Sequence, residues 1–100
     1  MTETTTPSFS IGTFLSTPGS LTAFEKNGQT PFELLQRHRS KDWGELCEED
    51  REANNQALVD GGRLLSAYRL KDGTKVWCIT EAVGENGHRE ATTFLLPEEY

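Results

Sequence analysis

His38, Asp42, Trp43, Glu49 and Asp50 fall in one short stretch of the chain. An imidazole a few residues from carboxylates has the makings of an acid/base pair, with His38 exchanging a proton against Asp42 or Asp50. The Trp43-Gly44 step between them suits either of two tasks. A tryptophan in a loop is costly to leave in water, so it meets a ligand or plugs the core. In the first case the five residues form a recognition loop. In the second, Trp43 anchors a long connection and Asp42 caps a turn, which is the commoner use of such a loop.

Other chemistries have less support. His38 and His88 lie far apart, with no HExxH, no HxH and no cysteine pair, so no metal site is predicted. Cys47 and Cys78 stand outside any ligand pattern, and a bridge between them is unforced. Gly61-Gly62-Arg63 follows a helical stretch instead of opening one, and Gly84 to Gly87 lacks the phosphate-loop spacing. No glycine-rich cofactor loop follows a strand, so no cofactor is predicted.

The elements that must position these residues are easier to name. Thr17-Pro18 and Thr30-Pro31 each predict a helix start, with Thr as the cap and Pro in the first turn. Glu33 stands three residues after Thr30, the spacing of a capping box. Glu48 to Asp60 reads as a third helix with a thin apolar face, stopped by Gly61-Gly62. Arg63 to Glu81 is two β-prone runs joined through Asp72-Gly73, a strong hairpin signal. A two-residue loop there sets Tyr68 opposite Trp77 and Ala67 opposite Cys78; a three-residue loop shifts every pair by one. Ala91 to Leu96 gives a further strand, and the run from Phe9 to Leu15 offers a fourth.

The fold expected is therefore α+β: an antiparallel sheet of three to four strands, a C-terminal meander with or without the N-terminal strand, and about three helices on one face. Residues 1–8 are expected to be a disordered tail, and residues 9–100 a single domain.

A net charge of -6 argues against a general binder of the nucleic-acid backbone. The acids Glu45, Glu48, Glu49, Asp50 and Glu52 make a solvated helix face or a surface for a basic partner. No apolar stretch approaches the ~20 residues of a membrane helix, and MTETTTPSFS lacks the marks of a signal peptide, so a cytoplasmic location is expected.

Several strings carry a resemblance: His38…Asp42-Trp43-Gly44, Gly62-Arg63-Leu64-Leu65-Ser66-Ala67-Tyr68, Asp72-Gly73-Thr74, Trp77…Ile79-Thr80-Glu81, and the Leu95-Leu96-Pro97-Glu98-Glu99-Tyr100 end. From Thr17 to Tyr100 the chain resembles small bacterial proteins that accompany plasmids and integrative elements. The resemblance carries no mechanism. It implies a non-enzymatic accessory protein of a mobile genetic element that acts through protein–protein contacts.

Two alternatives stand beside that expectation. One is a small enzyme or ligand-binding domain using His38 and nearby carboxylates. The other is an acidic inhibitor of a host nucleic-acid enzyme, with a basic protein as its partner. The chain is expected as a monomer, or as a homodimer joined through a sheet edge that the meander leaves open.

Overall fold

Both Thr-Pro steps start helices in the computed structural model, which describes residues 9–100. The tail expected over residues 1–8 lies outside the described residues. Helix α1 is Pro18–Lys26, and its Thr17 cap accepts the Ser20 N–H at 3.2 Å. Helix α2 is Pro31–Arg39. Its Thr30 takes the extended cap conformation, but the side chain makes no cap hydrogen bond. The capping box expected with Glu33 is therefore absent. Pro31 already fixes the backbone of the first turn, which holds the start without it. Helix α3 is Glu48–Asp60 and ends at Gly61 in the left-handed conformation.

The strands are β1 Thr13–Ser16, β2 Leu64–Arg69, β3 Lys75–Thr80 and β4 Ala91–Leu95. They form one sheet in the order β1-β4-β3-β2. The β2–β3–β4 meander is antiparallel, but β1 runs parallel to β4. The sheet is thus mixed, not wholly antiparallel as expected. Phe9 is held beside Trp43 and Arg89, so the chain enters β1 already running in the direction of β4.

The hairpin register differs by one residue from the two-residue loop. Ala67 faces Trp77, Tyr68 faces Val76, and Arg69 faces Lys75. The Leu70 N–H reaches the Thr74 carbonyl at 2.8 Å, leaving Lys71-Asp72-Gly73 as a three-residue loop. Within that loop Gly73 alone takes positive φ, +90°. That is a turn closed by a left-handed glycine, and it separates Tyr68 from Trp77 onto opposite faces.

Side chains that alternate along the strands put Leu64, Ser66, Tyr68, Val76, Cys78, Thr80, Thr92 and Phe94 on one face, all buried. Phe24 of α1 and Leu34 and Leu35 of α2 close over it, with Phe94 set edge-on to Phe24 at 5.5 Å. On the other face Trp77 meets the ring of Tyr100 at 5.7 Å, brought there by a short 3-10 helix, Pro97–Glu99. Glu99 ties that segment to the start of α1. Its carboxylate accepts from the Thr17 hydroxyl (2.5 Å), the Gly19 N–H (3.1 Å) and the Leu96 N–H (2.8 Å). Those bonds, the Thr17 one first, hold its pKa below the usual carboxylate value.

Both edges of the meander are occupied. β4 is covered by β1. On the outer side of β2, Asn54 of α3 bonds the Leu65 backbone, and the Trp43–Glu45 segment bonds the Ala67 backbone. The open meander edge expected as a route to a homodimer is therefore closed along Leu65 and Ala67.

Candidate functional site

The last turn of α2 carries His38 inward, onto the hydroxyl-bearing rows of the sheet. Its side chain has no solvent exposure. Nδ1 lies 2.5 Å from Ser66 Oγ, and Nε2 lies 2.9 Å from Thr80 Oγ1. Thr80 Oγ1 is 2.8 Å from Thr92 Oγ1, and the Thr92 hydroxyl donates to the Ile11 carbonyl at 2.8 Å.

This terminus sets the direction of the bonds back to Nε2, and the neutral ring sets the one at Nδ1. A carbonyl only accepts, so Thr92 donates to Ile11 and accepts from Thr80. The Thr80 hydroxyl is then an acceptor for the Nε2–H of His38, and Nδ1 accepts from Ser66. The histidine is a neutral Nε2–H tautomer in a chain with each hydroxyl donating once. Burial pushes its pKa down to about 4. Neither Asp42 nor Asp50 touches the ring, so the His–carboxylate pair considered from the sequence is not formed. Both nitrogens are already occupied by framework hydroxyls.

Trp43 is 6% exposed and belongs to the core. Its indole stands edge-on to His38 at 5.6 Å and stacks with Phe9 at 6.2 Å, over Ala57 and Leu64. The step after it requires glycine: Gly44 has φ +76°, and a Cβ there would lie 2.0 Å from the Ala67 carbonyl oxygen. Trp43 is thus an anchor and presents no surface to a ligand.

Asp42 stays outside. It grips Arg37 through Nε (2.7 Å) and Nη2 (3.3 Å) and accepts the Gly44 N–H at 3.2 Å. The Arg37 bond holds the Asp42 carboxyl below its usual pKa and raises that of Arg37. The Asp42 carbonyl also accepts the Tyr68 hydroxyl at 2.7 Å, and burial raises the pKa of that phenol. Glu49 and Asp50 lie exposed on the first turn of α3, apart from the His38–Trp43 contact. Of the five candidates, the structure brings together only His38 and Trp43, and it buries both.

The surface feature that the sequence did not single out is Phe32. It is 64% exposed, although its ring leans on Phe14 at 5.7 Å. It borders a shallow groove of about 520 Å³ with Glu33, Gln36, Arg37, Ser40 and Asp42. The pattern held a signal for it: in Pro31-Phe32-Glu33-Leu34-Leu35, Leu34, Leu35 and His38 share one helical face and Phe32 falls off it.

Among the described residues no three His, Cys, Asp or Glu side chains come together as a metal site. Cys47 is exposed and Cys78 is buried, both as free thiols. Among the described residues no helix is long and apolar enough to cross a membrane. The chain is an α+β protein with a four-stranded mixed sheet. No family model, curated protein or solved structure matches it.

Proposed function

We propose that this chain is a non-enzymatic accessory protein of a mobile genetic element, working in the cytoplasm through a protein–protein contact on the α2 face around Phe32. The observation that carries the contact is the phenyl ring of Phe32, 64% exposed beside the Arg37–Asp42 pair and its groove. Burying such a ring in a partner contributes roughly 1.5–3 kcal/mol. Aromatic and arginine side chains at one spot are the composition of interface anchors. The partner that fits is a protein with an apolar side chain for the groove and polar groups to meet Arg37, Asp42 and Glu33. The mobile-element setting comes from the resemblance of the Asp42-Trp43-Gly44, Gly62–Tyr68 and Asp72–Thr74 strings.

A photo-reactive benzoylphenylalanine placed at Phe32 in living cells tests the contact, with the same group at Glu49 and at Lys75 as comparisons. A discrete adduct from position 32, abolished by Arg37→Glu, supports this surface. An adduct from position 49 alone would move the contact to the acidic start of α3, where a basic partner would dock. Equal labelling from all three positions, or none, would contradict a specific contact.

A further inference from the structure

We infer that Arg89 is the charged floor of a binding site for a small organic carboxylate with a compact apolar body. Arg89 is 6% exposed, and no carboxylate pairs with it among the described residues. Its Nη1 donates to the carbonyls of Gly62 (2.6 Å) and Glu81 (3.0 Å), and its Nη2 to that of Ala57 (3.3 Å). Its guanidinium also lies over the Phe9 ring, 5.9 Å from the centroid. A buried cation whose direct contacts are carbonyl dipoles, with no carboxylate bonded to it among the described residues, is an expensive arrangement. Burial accordingly lowers its pKa from the ordinary arginine value, with Asp60 opposing.

A guanidinium has five N–H groups, and three are engaged. The two that remain, Nε–H and one on Nη2, meet no protein acceptor among the described residues. No buried side-chain nitrogen or oxygen in the described structure lacks a partner. Nε is thus not among fully buried side-chain atoms left without a partner. Arg89 lines a concavity of about 400 Å³ whose apolar walls are Phe9, Leu58, Val59 and Val83.

The protein itself shows what such nitrogens hold. Arg37 grips the Asp42 carboxylate through the same two, Nε and Nη2. At Arg89 no carboxylate of the described residues takes these positions, and apolar walls stand beside it. The ligand class follows: a carboxylate for the guanidinium and an apolar body for the walls. Asp60 sits on the rim, where its Oδ1 accepts the Gly62 N–H at 3.1 Å, and its charge weakens anion binding without blocking it.

Titration of the full chain with benzoate, followed by NMR of backbone amides and the Arg89 Nε–H at fixed ionic strength, tests the site. Saturable shifts at Arg89, Phe9, Val59 and Val83 are expected, with benzamide, the uncharged counterpart, at least about tenfold weaker. Val59 is 80% exposed, so Val59→Glu keeps the fold and sets a like charge at the rim. It should weaken benzoate about tenfold, whereas Asp60→Asn should tighten it a few-fold. Absence of saturation at tens of millimolar benzoate would overturn the site. So would benzamide binding as well as benzoate, or shifts clustered elsewhere. Those results would leave Arg89 as a structural tie between α3 and the loop before β4.

Discussion

Asn54 meets Leu65 as a neighbouring strand would. Its carboxamide nitrogen donates to the Leu65 carbonyl at 2.7 Å, and its oxygen accepts the Leu65 N–H at 3.0 Å. One side chain of α3 thus satisfies both outward groups of an edge residue, and the Gly44 bridge to Ala67 does the same two residues on. An edge left bare invites pairing with other chains, and these contacts cover this one along Leu65 and Ala67.

Asn54→Ala leaves a backbone donor and acceptor of Leu65 without partners in a partly buried place. Each such group costs roughly 1–3 kcal/mol. Urea unfolding of the variant should show a loss of about 3 kcal/mol, and light scattering should show more self-association than for the natural chain at the same concentration. A loss under about 0.5 kcal/mol would mean that water replaces the carboxamide freely.

The His38 chain makes stability depend on pH in a defined window. The unfolded chain takes up the imidazole proton near the ordinary value of 6.5, and the folded chain only near 4. Between those values the unfolded state binds more protons, so acid favours unfolding. The contribution is complete above pH 6.5, falls as pH drops toward 4, and amounts to about 3 kcal/mol. Carboxylates titrate in the same range, so the measurement is a difference. The unfolding free energy of the natural chain should fall more steeply between pH 6.5 and 4 than that of His38→Gln. Parallel profiles would contradict a depressed histidine.

Helix α2 ends on a left-handed lysine. Lys41 has φ +69°, the Asp42 N–H reaches the Arg37 carbonyl at 2.9 Å, and the Lys41 N–H reaches that of His38 at 3.1 Å. Helix α1 closes with the same pair of bonds, but with Gly28 in the left-handed place. A side chain costs about 1 kcal/mol in this conformation. Lys41→Gly should therefore raise stability by about 0.5–1 kcal/mol, less the added freedom of glycine in the unfolded chain. A thermal melt that falls would show that the lysine makes a compensating contact.

Trp43 and Asp42 are neighbours in sequence but differ in what they support. Trp43→Ala empties a core site between Phe9, His38 and Leu64 and should cost about 3–5 kcal/mol in chemical unfolding. Asp42→Ala removes an exposed pair with Arg37, and surface pairs contribute at most about 1 kcal/mol. A binding defect in Trp43→Ala thus reports lost structure, while one in folded Asp42→Ala reports lost contact.

Helix starts were legible because Thr and Pro act within a few bonds of themselves: Thr17-Pro18, Thr30-Pro31 and the Gly61 stop all stand where local chemistry puts them. The hairpin was legible as a hairpin but not in register. Leu70-Lys71-Asp72-Gly73-Thr74 fits a two-residue loop or a three-residue one, and the choice lies in the φ of one glycine. The site was least legible. The partners of His38 are Ser66 and Thr80, with Thr92 behind Thr80, on three strands, and the hydroxyls line up on one face only once the register is known. Its sequence neighbours Asp42 and Asp50 looked like partners because proximity along the chain is all that a sequence displays.

His38 is a framework residue whose two ring nitrogens are taken by Ser66 and Thr80. Nitrogen-15 NMR of the His38 ring, followed from pH 8 downward, measures this most directly. The account predicts one fixed tautomer, protonated at Nε2 and bare at Nδ1, that holds through neutral pH and titrates near 4. A ring that titrates near the ordinary 6.5, with its tautomers in exchange, would contradict it and make His38 a working acid/base group.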